Sequence, residues 1–186
     1  MLIFLLSFLI LTAKAEIPSV IAGTDLLKGS PRTVATRFPD KKALVVVFMS
    51  ARCPCSNSHV PVLTQLSEKY PDVSFVAVHA NADEPVAEAQ PYFKRLNLPF
   101  PVIEDAHAKV ADQFKALKTP HVFVLSPEGQ VLYQGGVTNS AMADQSDRNY
   151  LSEALEDIQN GKKVRTVSGR TLGCVIAREG ENKNVW

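Results

Sequence analysis

Ala43-Leu44-Val45-Val46-Val47-Phe48-Met49-Ser50-Ala51-Arg52-Cys53-Pro54-Cys55-Ser56 is the stretch that decides the fold. Its first seven residues are an unbroken apolar, Val-rich run, the pattern of a strand buried on both faces. Ser56 to Tyr70 then follows helical spacing, with Val60, Val62, Leu63 and Leu66 apolar and Gln65, Glu68 and Lys69 polar. Pro61 falls inside that segment, so a kink is expected there. Cys53 and Cys55 thus sit at a strand-to-helix junction. The free N–H groups of a helix's first turn stabilise a thiolate there and lower its pKa.

Outward from this junction, strands and helices alternate. Ile17 to Pro39 carries turn signals at Gly23 and Lys28-Gly29-Ser30-Pro31, consistent with a small hairpin. Val73 to His79 reads as a second buried strand. Asn81-Ala82-Asp83-Glu84-Pro85 reads as a helix start, with Asp83 as N-cap and Pro85 early in the first turn. That helix runs towards Leu96, with Pro91 expected to break or bend it. Phe100 to Ile103 reads as a short strand and Ala106 to Leu117 as a helix. Val122–Leu125 and Val131–Gln134, joined by Ser126-Pro127-Glu128-Gly129, read as a hairpin. Tyr150 to Ile158 is a closing helix, and Gly161 onward reads as an extended tail. The order predicts an α/β fold with a mixed central sheet flanked by helices on both faces.

Leu2 to Leu11 is apolar apart from Ser7 and ends in Thr12-Ala13-Lys14-Ala15. This is a signal-peptide pattern with cleavage expected between Ala15 and Glu16, and the run is too short to span a bilayer. The expected organisation is therefore a signal at 1–15, one domain at 16–176 and a tail at 177–186, in an exported protein, periplasmic or secreted. Retention of the segment as an uncleaved anchor is the alternative. Without Lys14, the 20 basic residues become 19 and match the 19 acidic ones. With no long run of one sign, neither a nucleic acid nor an anionic membrane surface is indicated as partner. Cys53, Cys55 and Cys174 are the three cysteines, and an odd number in an exported chain leaves one thiol unpaired or reactive.

Phe48 to Ser56 with Pro61, and Thr119-Pro120 before Val122-Phe123-Val124-Leu125-Ser126-Pro127-Glu128-Gly129, resemble the thioredoxin-like superfamily. Cys53 matches the first active cysteine, Pro61 the helix proline, and Ser56 stands at the second-cysteine position. The insert from Asn81 to Leu98 and the ending Gly173-Cys174-Val175-Ile176 are most similar to the redoxin branch, which holds peroxiredoxin-like and TlpA-like proteins often labelled AhpC/TSA. The likeness covers roughly Ile17 to Ile176. It implies a thioredoxin-like fold and a thiol oxidoreductase, with Pro120 as a cis-proline facing Cys53. Thr119 and Pro120 then shape the substrate groove.

Two departures sharpen the expectation. Val46 stands where peroxiredoxins carry a proline, and Ser50 alone matches their hydroxyl, which favours disulfide exchange over peroxide reduction. Val47 stands where thioredoxins hold a buried acid, so proton transfer needs another group. Cys53 is the expected nucleophile, and either Cys55 or Cys174 resolves it. A Cys-x-Cys bridge would close a very small ring, and Cys174 resolves only if the tail folds back over the site.

No organic cofactor is implied, because the cysteines carry the two electrons. The partners are a protein or small-molecule disulfide or thiol and a reducing protein. Two alternatives stay open. One is a copper chaperone, superficially similar to the Sco type, using Cys53, Cys55 and His59 or His121; soft thiolates with imidazole suit Cu(I) or Zn. The other is a thioredoxin-like domain that only binds partners. His79 and His107 are expected at the surface or at strand ends.

Overall fold

The computed structural model describes residues 17–180. The expected signal at 1–15 lies outside the described residues.

Seven strands form one mixed sheet. β1 (Val20–Asp25) and β2 (Ser30–Ala35) make the expected N-terminal hairpin. β3 (Ala43–Phe48) leads through α1 (Pro54–Lys69) to β4 (Val73–His79), and α2 (Val86–Leu96) leads to β5 (Val102–Glu104). A 3-10 turn at Ala106–Ala108 precedes α3 (Lys109–Phe114). β6 (Lys118–Thr119), β7 (His121–Leu125), β8 (Val131–Gly135) and α4 (Tyr150–Gln159) follow, and β9 (Cys174–Val175) closes the described chain. The sheet order is β2-β1-β5-β4-β3-β7-β8. β3, β4 and β5 are parallel, and β7 and β8 run antiparallel beside them.

Every residue of β3 is buried, as its unbroken apolar run requires of a strand covered on both sides. Its alternating side chains divide two cores. Ala43, Val45 and Val47 pack with Leu63 and Leu66 of α1, Phe93 of α2 and Leu151 and Leu155 of α4. Leu44, Val46 and Phe48 pack with Val110, Ala111 and Phe114 of α3, and with Ile176. Phe48, Phe114 and Phe123 meet edge to face at 5.1–5.9 Å between centroids, the geometry favoured by aromatic quadrupoles.

Several boundaries differ from the sequence expectation. Asp83 is not the cap of α2: Pro85 holds that position in extended conformation and the helix starts at Val86. α2 continues through Pro91, because Ala89 and Phe93 bury its apolar face. α1 starts at Pro54, two residues before Ser56, and runs through Pro61 as one helix. β5 begins at Val102, after Pro99 and Pro101, which have no N–H to give a ladder. The segment Ala106–Leu117 is not one helix. His107 and Ala108 adopt left-handed φ, and the buried Asp105 carboxylate takes the Val110 and Ala111 N–H groups at 2.9 and 2.8 Å, so α3 starts at Lys109. Lys115, also left-handed, ends it.

The tail is not merely extended. β9 pairs antiparallel with β6, placing Cys174 opposite Thr119 and Val175 opposite Lys118. Ile176 N–H donates to Leu117 O at 2.9 Å and Ala82 N–H to Ala177 O at 3.0 Å. The Arg178 guanidinium holds Asp112 and the Ala116 carbonyl. With Ile176 fully buried, these contacts strap the chain's end across the sheet edge that carries Cys53.

Candidate active site

Cys53 is the N-cap residue of α1, in extended conformation at the end of the Met49–Arg52 loop that leaves β3. The Thr119-Pro120 peptide is cis, and the Cys53 thiol donates to the Thr119 carbonyl at 3.2 Å. β9 lies on the other side of Thr119. The sulfurs of Cys53, Cys55 and Cys174 all come within 4.8 Å of one another, and all three cysteines are reduced. Cys53 is 2% exposed, while Cys55 and Cys174 are half-buried. The buried Thr119 hydroxyl has no hydrogen-bond partner among the described residues.

The three thiols differ electrostatically. Burial pushes Cys53 up, but hydrogen bonding with Cys174 and Thr119, and the backbone N–H of Ser56, outweigh it and bring its pKa below the ordinary thiol value. Burial pushes Cys55 up, with the Cys53 charge adding to it. Cys174 is pushed up to about 12, by burial and then by hydrogen bonding to Cys53. Cys53 is thus the most readily ionised of the three thiols.

The histidines stand elsewhere. His59 is buried inside α1, where Nδ1 donates to the Cys55 carbonyl at 2.7 Å and Nε2 meets the Thr138 hydroxyl at 2.9 Å. Burial lowers its pKa. His121 shares its face of β7 with Phe123, against which its ring lies at 4.5 Å. Phe123 belongs to the α3-side core, whereas α1 covers the opposite face. Burial lowers His121 to about 4. Among the described residues, the metal-competent group holds the three cysteines and neither histidine. The expected Cys–Cys–His set is therefore replaced by three sulfurs. Helix spacing placed His59 on the Cys55 side, but its ring turns back to the backbone. Strand alternation put His121 on the far face. His79 ends β4 as expected, yet it is buried, packing edge-on to Phe93, and His107 is at the surface.

Sequence reasoning missed Glu84. Its buried carboxylate accepts the Ser50 hydroxyl, the Ala51 N–H at 2.7 Å and the Arg52 N–H at 3.4 Å, with the His79 ring 3.7 Å away. Ser50 Oγ in turn accepts the Cys53 N–H at 2.9 Å. Glu84 thus fixes the loop that presents Cys53. The signal was available: β3 and β4 pair in parallel with Phe48 opposite Val78, so the loops leaving both strands share one sheet edge. Arg52 points away from the sulfurs, its guanidinium holding Glu88 and the Asp83 carbonyl.

Gly173 permits the strap. A Cβ there would stand 2.0 Å from the Thr119 carbonyl oxygen, the acceptor for Cys53. Gly173→Ala is expected to lift β9 off β6 and leave the seven-stranded sheet folded. Alkylation of native protein checks this: Cys174 should be modified at least about tenfold faster than in the parent, with unchanged far-UV circular dichroism.

A cysteine at a helix N-terminus, a cis-proline beside it and a parallel–antiparallel sheet behind them define a thiol redox protein on a thioredoxin-like fold. The chain belongs to the redoxin family, whose model matches residues 12–151. Cys174 lies beyond the matched region. No curated protein matches the chain. Among solved structures, an uncharacterized conserved protein from Geobacillus kaustophilus superposes with a TM-score of 0.78 at 23% identity, covering 90% of this chain and 92% of that one. A hypothetical protein from Sinorhizobium meliloti 1021 gives 0.78 at 25% identity, with 89% and 94% covered. A secreted Mycobacterium tuberculosis disulfide oxidoreductase homologous to E. coli DsbE gives 0.51 at 25% identity, with 60% and 79% covered. No described helix is long and apolar enough to cross a membrane.

Proposed function

We propose that this protein is an exported thiol–disulfide oxidoreductase in which Cys53 attacks and Cys174 resolves. The observation that carries the reading is the three-sulfur cluster beside the cis Thr119-Pro120 peptide. Export is supported by the signal pattern at residues 1–15 and by the secreted M. tuberculosis relative.

The chemistry follows thiol exchange. The Cys53 thiolate attacks one sulfur of a partner disulfide, forming a mixed disulfide and expelling the partner's other sulfur as thiolate. Cys174 then gives up its proton, which that thiolate or water takes, and attacks the Cys53 sulfur. A Cys53–Cys174 disulfide forms and the second partner thiol leaves. The Cys53 thiolate and Cys174 thiol together have lost two electrons and one proton, and the partner leaves as one thiol and one thiolate that takes its proton from water. A reducing protein reverses the process.

Cys174 suits the second step because a Cys53–Cys55 bridge closes a strained ring. Thr119, with its carbonyl on Cys53 and its hydroxyl unpartnered, offers both groups to the incoming chain. Leu117 and Val175, exposed on either side of the β6–β9 ladder, supply an apolar rim for a protein partner.

Incubation of reduced protein with glutathione disulfide, followed by digestion and mass spectrometry, tests the reading. A peptide containing Cys174 linked to the one containing Cys53 and Cys55 is expected. A bridge confined to Cys53 and Cys55 would transfer the resolving role to Cys55. In parallel, the alkylation rate of Cys53 should titrate below about 8.5, the ordinary thiol value, and that of Cys174 well above it. The reverse order would remove Cys53 as the nucleophile.

A further inference from the structure

The cluster that carries the exchange chemistry has a second capacity. We propose that the reduced protein binds one cuprous ion through the three sulfurs of Cys53, Cys55 and Cys174, with no histidine ligand.

The geometry comes first. A metal in the plane of three thiolates at about 2.3 Å places the sulfurs ~4 Å apart. The three sulfurs already stand within 4.8 Å of one another, two from the start of α1 and one from the β9 strap. Cys53 is held by β3 and the Glu84 contacts, Cys55 by the first turn of α1, and Cys174 by the β6–β9 pairing. Closing onto an ion therefore takes less than an ångström of movement per sulfur and no rearrangement of backbone.

The donor set selects the ion. Thiolates prefer soft metals, Cu(I), Zn(II) and iron–sulfur clusters among them. Structural zinc takes four protein ligands in a tetrahedron. Here a fourth is missing among the described residues: no histidine or carboxylate joins the three sulfurs. His59 has both ring nitrogens engaged, and the Glu84 carboxylate is taken by the Ser50–Arg52 loop. Three sulfurs with no fourth ligand fit a three-coordinate cuprous ion.

Access and charge agree. Cys55 and Cys174 are half-buried and meet the ion first, and Cys53, buried, closes over it. The negative charge left on the sulfurs faces the N-terminus of the 16-residue α1, where the dipole and free N–H groups favour anions. Binding displaces the thiol protons and changes no oxidation state. It competes with oxidation, because a Cys53–Cys174 disulfide removes two of the ligands.

The inference needs only the reduced cluster and stands apart from the exchange reaction. Full-length reduced protein is titrated anaerobically with Cu(I) held as its bicinchoninate complex. The parent should withdraw one equivalent, and X-ray absorption should show three sulfur neighbours and no imidazole. Cys174→Ser should lower the affinity at least about 100-fold, with His59→Ala and His121→Ala unchanged. Zinc offered as its chelator complex should be taken up far more weakly. Equal affinity in Cys174→Ser, a nitrogen in the first shell, or tighter zinc than copper binding would each overturn the site. Disulfide exchange measured on the same preparations separates the two readings, since either capacity can fail while the other persists.

Discussion

Cys53→Ser is expected to abolish disulfide exchange, lowering insulin or glutathione disulfide reduction by about 1,000-fold or more, because a serine hydroxyl at neutral pH is not a nucleophile towards sulfur. Cys174→Ser should behave differently. Its Cys53 keeps its place on the helix N-terminus and still attacks, but nothing in the tail expels the partner. The mixed disulfide should accumulate as a stable adduct visible by mass spectrometry, with multiple turnover falling at least about 50-fold. Full turnover by Cys174→Ser would show that Cys55 resolves despite its strained ring. Hydrogen peroxide consumption should be slow in the parent, since Val46 stands in place of the peroxiredoxin proline.

The second large effect is on stability. Glu84→Ala removes a buried carboxylate that accepts three donors from Ser50, Ala51 and Arg52 and lies beside the buried His79. Each donor left without an acceptor costs about 1–3 kcal/mol, and hydrogen bonds to a charged group lie at the upper end. A loss of about 3–5 kcal/mol is expected in denaturant unfolding. Glu84→Gln keeps the shape and one oxygen but turns an NH2 towards the N–H donors, so it should recover only part. With the Ser50 hydroxyl released, the Cys53 N–H loses its anchor, and exchange activity should fall in protein that is still folded. A loss below about 0.5 kcal/mol, the scale of surface substitutions, would mean that Glu84 does not organise the loop.

The fold was legible wherever a buried element has a periodic signature. β3 and β4 announce themselves by apolar runs, α1 and α4 by helical spacing, and the β7–β8 hairpin by Ser126-Pro127-Glu128-Gly129. Boundaries set by contacts distant in sequence were not legible. The Asp105 carboxylate that starts α3 serves N–H groups five and six residues on, and nothing local in Ala106–Leu117 marks the break. The same division holds at the site. Cys53 could be found because a strand-to-helix junction is local, and the cis peptide at Pro120 followed from the family likeness. Where the tail goes depends on β9 finding β6, a pairing of two residues that no periodicity encodes. The structure brings Cys174, and neither His59 nor His121, to the Cys53 and Cys55 sulfurs. Nearness along a helix or after a proline does not say which way an imidazole turns. Glu84 escaped notice because its role crosses between neighbouring parallel strands.

Gly173 and the two-residue β9 have a consequence in time as well as in space. All seven strands of the main sheet are complete by Gly135, yet the third sulfur arrives only with Cys174. A chain growing from its N-terminus therefore presents Cys53 and Cys55 as a bare pair until Cys174 is added. A product ending before Gly173 would keep the whole main sheet and lack the cysteine proposed to resolve. Such a chain would capture partners without releasing them. In the exchange cycle proposed above, a pairing of only two residues thus decides when the site is complete.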